Sequence, residues 1–183
     1  MWTHEQMNKW LKALEKGDVV AAPAEGVYGY CTDPFNRESL AKLIALKERA
    51  SNKGLICLIS DLSQLGMLTS TLNHQQASAI DQYWPCEPEE PVTLILPANR
   101  FAPSLLTGGK RTIAVRYPAC KYMQAYLKAW GKPLVSTSLN LSGMPPAVAK
   151  KDIPYGITSL AMETPLTGRS SKIFDPQHQN WLR

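Results

Sequence analysis

Residues 134–143 read Leu134-Val135-Ser136-Thr137-Ser138-Leu139-Asn140-Leu141-Ser142-Gly143. An apolar entry followed by a crowd of hydroxyls and an amide describes a buried strand that ends in a polar turn. Open α/β sheets place ligands just beyond such strand ends. Hydroxyls and amides gathered there orient a carboxylate, a sugar or a phosphate. An ordinary Ser/Asn-rich turn has the same composition, so the surrounding sequence has to decide.

Outward from this stretch, short apolar runs at 19–22, 27–31, 55–59, 92–96 and 112–116 read as further strands. Ile173-Phe174 and Trp181-Leu182 add two short ones near the end. Between them lie helical patterns. Thr3 and Gln6 form a capping-box pair ahead of Met7, Trp10, Leu11 and Leu14, with Gly17 as the stop. Asn36 or Arg37 opens a second helix carrying Leu40, Leu43 and Ile44. A polar helical region extends from Leu62 to about Tyr83. Tyr122, Met123, Tyr126, Leu127 and Trp130 mark another helix, closed by Gly131. The stretch 143–156, with three prolines, reads as a surface loop. Alternating strands and helices, without repeats or a linker, predict one domain over residues 1–183 of α/β or α+β class with a twisted, mixed sheet.

Composition narrows the class of function. An apolar content of 44% suits a packed globule and argues against disorder. No apolar run is long enough to span a bilayer, and the first residues lack a basic-then-apolar signal; a cytoplasmic location without membrane attachment is expected. Cys31, Cys57, Cys86 and Cys120 are too far apart for a CxxC pair, and His4, His74 and His178 form no HExxH pair. Free thiols and no protein-built metal site are the expectation. The net charge of +5 favours anionic partners such as nucleotide phosphates or RNA.

Standard phosphate loops are missing. Gly109-Lys110 has Ser104 where a P-loop requires its first glycine, and Arg111 where it requires Ser or Thr. Lys47-Glu48-Arg49, with Lys53 beyond, is the first alternative. Lys47 continues the stripe of Leu40, Leu43 and Ile44, so it turns inward, where a cation wants an anion. It equally suits a snorkelling lysine at a helix end. In Thr112-Ile113-Ala114-Val115-Arg116, alternation puts Thr112, Ala114 and Arg116 on one face. Arg116 there is either an exposed strand end or a buried cation in need of a partner.

Together these pieces resemble the YrdC family of threonylcarbamoyl-AMP synthases. Pro23-Ala24-Glu25-Gly26-Val27-Tyr28-Gly29 is similar to its P-T-E-x-V-Y-G segment. Lys47-Glu48-Arg49 is similar to its K-x-R signature. Trp84-Pro85 with Pro91-Val92-Thr93 is similar to an opened W-P-G-P-x-T segment. Ala114-Val115-Arg116-Tyr117-Pro118 and Ser138-Leu139-Asn140 match A-V-R-x-P and S-x-N. The resemblance implies a strongly twisted sheet around a basic concave cavity. It also implies an enzyme that converts L-threonine, bicarbonate or CO2, and ATP to threonylcarbamoyl-adenylate and diphosphate, for N6-threonylcarbamoyladenosine formation in tRNA.

By the same resemblance, Lys47, Arg49, Ser138 and Asn140 form the catalytic set. Lys53, Thr112, Ser142, Ser171 and Arg183 fall at nucleotide positions, and Arg116 and Ser136 at threonine positions. Mg2+ is expected with the phosphates. A downstream tRNA threonylcarbamoyl-transferase complex and weak RNA binding are the expected partners. The competing reading is a non-enzymatic RNA-binding or ribosome-maturation factor that uses the basic cavity. The sequence departs from the family twice: Ala24 replaces a threonine, and Cys86-Glu87-Pro88-Glu89-Glu90 replaces one glycine beside a substrate-lining segment.

Overall fold

Alternation along the strands sorts side chains onto the two faces of one sheet, and helices cover those faces unequally. The computed structural model describes residues 2–48, 52–141 and 143–183. In chain order the elements are α1 (His4–Glu15), β1 (Val20–Pro23), β2 (Tyr28–Thr32), α2 (Arg37–Leu46), β3 (Ile56–Leu58), α3 (Leu65–Leu68) and α4 (His74–Tyr83). They continue with β4 (Val92–Pro97), α5 (Ser104–Thr107), β5 (Thr112–Arg116), α6 (Lys121–Trp130), β6 (Leu134–Ser138), β7 (Lys172–Asp175) and β8 (Asn180–Trp181). The strands join in the order β1-β2-β6-β3-β5-β4-β7-β8. The β3–β5 and β4–β7 pairs are parallel and the other pairs antiparallel, which makes the sheet mixed as expected.

On one face Ala21, Tyr28, Tyr30, Cys57, Ile113, Val115 and Val135 pack with residues of α2, α3 and α4, including Leu40, Leu43, Leu68 and Ile80. On the other, Val20, Ala22, Cys31, Leu58 and Leu134 meet Trp10 and Leu14 of α1 and Met123, Tyr126 and Leu127 of α6. Each fully buried Leu or Ile in these layers contributes about 1.5–3 kcal/mol of burial energy. The outer edge of β1 is sheltered by the chain at 158–160: Ala21 N–H donates to Thr158 C=O, and Leu160 N–H to Ala21 C=O. A bare strand edge would otherwise invite pairing with another chain.

The Thr3–Gln6 capping box is present in both directions, at 3.1 and 2.8 Å. The expected helical region from Leu62 to Tyr83 is broken: a 3-10 turn at Leu62–Gln64 leads into α3, and α4 restarts at His74. The restart has its own capping box, Asn73 with Gln76, a polar signal hidden in an already polar stretch. Helix α5 and a 3-10 turn at Lys150–Asp152 are too short to leave a periodic pattern.

Candidate functional site

Helices α1 and α6 cover only part of their face of the sheet. Where that cover stops, the same face floors a cavity of about 570 Å3. Its floor comes from alternate residues of the central strands: Gly29, Ile56, Thr112, Ala114, Arg116, Ser136 and Ser138. The expected shared face of Thr112, Ala114 and Arg116 is therefore present, with Ile113 and Val115 buried on the opposite side. Gly29 lies opposite Ser138 in the β2–β6 ladder. A Cβ at Gly29 would stand 2.5 Å from Ser136 Oγ, so only glycine leaves that hydroxyl its position.

Arg116 is a buried cation, 5% exposed, and its partner is Glu25, 7% exposed. Arg116 Nη2 lies 3.1 Å from Glu25 Oε2. Helix α6 fixes the backbone that carries this glutamate. Tyr126 Oη–H donates to Pro23 C=O at 3.0 Å, and Tyr122 Oη–H donates to Ala24 C=O at 2.9 Å. Burial first, then its contact with Cys120, pushes the Tyr122 phenol far up, so it stays a donor. Trp2 lies edge-on to Tyr122 and anchors its indole N–H on Ala161 C=O at 2.8 Å.

Lys47 does turn inward, as its helical position predicts, and is 2% exposed. Its ammonium donates to the Ser138 and Asn140 carbonyls and to Asn140 Oδ1, and Ser138 Oγ–H donates to the same Oδ1 at 2.8 Å. Lys47, Ser138 and Asn140 thus form one cluster, of which Ser138 lines the cavity. Arg49 and Ser142, the other residues assigned here by resemblance, lie outside the described residues.

The chain's last residues close the cavity. Ser171 Oγ accepts from Thr93 Oγ1–H at 3.0 Å, and Arg183 Nε–H donates to Ser171 C=O at 3.0 Å. Desolvation, then the like charge of Arg116, lowers the Arg183 pKa; both residues line the cavity. Lys53, Thr112, Arg116, Ser136, Ser138, Ser171 and Arg183 all line the cavity.

Glu25, Lys110, Arg169 and His178 also line the cavity, with no role expected of them from the sequence. Gly108, at φ +66, ends α5 and turns the chain ahead of Lys110. Arg169 arrives by close approach: Gly168 N–H donates to Gly26 C=O at 2.7 Å, and a Cβ at Gly26 would fall 2.1 Å from the Arg169 carbonyl oxygen. Those paired glycines were the available signal. His178 Nδ1 lies 2.7 Å from Asp175 Oδ2 in the turn before β8. Lys53, Lys110, Arg116, Arg169 and Arg183 thus surround one space whose wall carboxylates are Glu25 and Asp175.

No group of three or more His, Cys, Asp or Glu side chains among the described residues is arranged to hold a metal. The four cysteines are free and buried. Burial raises the Cys31 thiol to about 12. The acidic insertion folds away from the cavity. Cys86 joins the segment after β5, donating N–H to Tyr117 C=O and accepting from Ala119 N–H; Glu90 pairs with Lys172 at 3.5 Å. None of residues 86–90 is in the cavity wall.

Fold and site thus define a class: α/β proteins with a concave, cation-lined cavity over an uncovered sheet face. The sequence matches the family described as "Telomere recombination", Sua5/YciO/YrdC, over residues 12–175. A threonylcarbamoyl-AMP synthase of Vibrio vulnificus (strain YJ016) is 40% identical over 135 residues, 73% of this chain and 70% of its own. That of Aliivibrio fischeri is 34% identical over 186 residues, 98% of each chain. Among solved structures, P. abyssi Sua5 complexed with L-threonine superposes with a TM-score of 0.85 at 25% identity, covering 96% of this chain. The match covers 52% of that protein, so this chain spans about half its length. E. coli YciO, at 21% identity, shares the fold with a TM-score of 0.79 over 94% of this chain and 84% of its own. The chain belongs to the Sua5/YciO/YrdC family.

Proposed function

We propose that this protein is a threonylcarbamoyl-AMP synthase, an ATP-dependent nucleotidyltransferase acting on L-threonine and bicarbonate or CO2. The observation that carries the reading is the ring of five cations on one cavity: Lys53, Lys110, Arg116, Arg169 and Arg183. Threonine's amine takes up CO2 to give a carbamate and releases a proton. A carbamate oxygen attacks the α-phosphorus of ATP, and the bond to the departing diphosphate breaks. Nucleophile and electrophile are both anionic, so fixed cations are needed to bring them together and to stabilise the leaving charge.

In this assignment Arg116 and Ser136 receive the threonine carboxylate and hydroxyl end. Lys53, Thr112, Ser171 and Arg183 take the nucleotide, joined by Lys110 and Arg169; Ser142 belongs to the nucleotide set by resemblance. Ser138 presents its hydroxyl at the strand end, held with Asn140 by Lys47, and Arg49 completes that catalytic set. The chemistry needs no covalent nucleophile, and burial keeps the Cys31 thiol protonated near neutrality.

Of the cavity carboxylates, Glu25 is paired with Arg116, and Asp175 accepts from its own turn and lies against His178. That donor set fits a Mg2+ that arrives on the triphosphate with most of its water, as this ion prefers. Such an ion would screen phosphate charge during the displacement. The product would serve tRNA threonylcarbamoylation by a downstream transferase complex in the cytoplasm. No helix among the described residues is long and apolar enough to cross a membrane.

The RNA-binding reading lacks a stacking platform: among the described residues, no Phe, Tyr or Trp lines the cavity. Incubation with ATP, L-threonine and isotopically labelled bicarbonate tests the proposal. A nucleotide product carrying both threonine and the label is expected. Its absence under conditions where ATP binds contradicts the assignment.

A further inference from the structure

We infer that Glu25 is a positioning residue for threonine recognition: it aims the Arg116 guanidinium into the cavity and thereby sets the affinity for the amino acid's carboxylate. This rests on the proposed reaction and assigns Glu25 a part in it.

The pair is half of a fork. Glu25 Oε2 and Arg116 Nη2 are joined, while Glu25 Oε1 and Arg116 Nε are both buried without a hydrogen-bond partner. Those are the two atoms that would complete a side-on, two-point arginine–carboxylate contact. Burying a carboxylate and a guanidinium while leaving one polar atom of each unmatched is costly. Such a cost is expected where geometry is held for a ligand. The surroundings support the same reading. Tyr122 and Tyr126 pin the backbone from Pro23 to Glu25, so the carboxylate is presented from a fixed base. Behind the pair, burial raises the Cys86 thiol to about 11, Glu25 adding to the rise and Arg116 opposing it. The guanidinium shares the cavity with the like charge of Arg183, and the two repel. Without Glu25 that repulsion would swing it away from its place on the cavity floor.

Charge and position predict opposite signs. Removing a carboxylate from the cavity wall, taken as charge alone, should strengthen the binding of any anion. If Glu25 acts by aiming Arg116, its neutral isostere should weaken threonine binding despite the gain in positive charge. ATP, held by several other cations, should keep or gain affinity.

The test is calorimetric titration of L-threonine and, separately, ATP into wild type, Glu25→Gln and Glu25→Asp, with a thermal melt of each. Glu25→Gln should lower threonine affinity about tenfold or more, the scale of one charged hydrogen bond, with ATP affinity unchanged or higher. Glu25→Asp keeps the charge but retracts it; it should also lose threonine affinity selectively, and it carries the test if the glutamine variant does not fold. Threonine affinity unchanged or raised in a folded variant overturns the inference. So does a parallel loss of both ligands, which would make the pair structural. A wild type that binds ATP but no threonine would instead overturn the proposed function, and the inference with it.

Discussion

One face of the sheet is used in two ways. Under α1 and α6 it carries Val20, Ala22, Cys31, Leu58 and Leu134, packed against Trp10 and Met123. Further along β2 and β6, and on β5 beyond β3, the same side carries Gly29, Ser136, Ser138, Ala114 and Arg116 and opens onto a cation-lined cavity. Backbone geometry is continuous across the two regions; what differs is side-chain volume and polarity. Large apolar groups recruit helices, whereas small and hydroxylated ones leave room for a ligand and donors to meet it. The helices still serve the site, because Tyr122 and Tyr126 of α6 reach across to hold the backbone before Glu25.

The covered region should show its character in stability. Trp10 is fully buried and donates its indole N–H to Ala21 C=O at 3.0 Å. Trp10→Ala should cost about 3–5 kcal/mol in denaturant unfolding, with turnover per folded molecule retained. In the open region Arg116→Ala should act on rate, as should Arg49→Ala in the catalytic set assigned by resemblance, each by about a hundred- to a thousandfold in threonine-dependent diphosphate release.

Lys47 caps α2 and reaches the Ser138 end of β6, the end away from the covered Leu134. Because its ammonium donates to oxygens of the strand-end turn, those of Ser138 and Asn140, Lys47→Ala should lose about 2–3 kcal/mol of stability as well as activity. A variant as stable as wild type would show that the turn keeps its shape unaided. Lys110→Ala, by contrast, should weaken ATP binding with the melting temperature unchanged.

The buried thiols give a pH signature. Cys31 and Cys86 are raised from the ordinary 9.0 to about 12 and about 11, mainly by burial. Below about pH 9 both folded and unfolded chains keep these protons, and the contribution to stability is whole. Above it the unfolded chain releases them first, so stability should fall as pH rises from about 9 through 12. Denaturant midpoints across that range, compared with a Cys31→Ala variant, measure the share. The smallest effect expected is a gain. Gly66, inside α3, would place a Cβ with nothing within 4 Å, so Gly66→Ala should stabilise by about 0.4–1 kcal/mol.

Much of this contrast was legible in the sequence because strand alternation is local. The face shared by Thr112, Ala114 and Arg116 and the inward turn of Lys47 both follow from spacing alone. Partners did not. That Arg116 meets Glu25, or that Lys47 meets the Ser138 carbonyl, depends on contacts 91 residues apart in each case. Lys110 and Arg169 enter the cavity from a bend and an irregular segment, where no periodicity points a side chain. The break before α4 was lost for a related reason: its cap residues, Asn73 and Gln76, resemble the polar surface around them.

The central claim is that the uncovered part of the sheet face brings ATP and threonine together. Steady-state diphosphate release by wild type and Arg116→Ala, with threonine and bicarbonate each present or omitted, tests it most directly. Wild type should release diphosphate only when ATP meets both co-substrates, and a folded Arg116→Ala should lose nearly all of that release. Release that ignores threonine, or an Arg116→Ala variant that turns over normally, would contradict it.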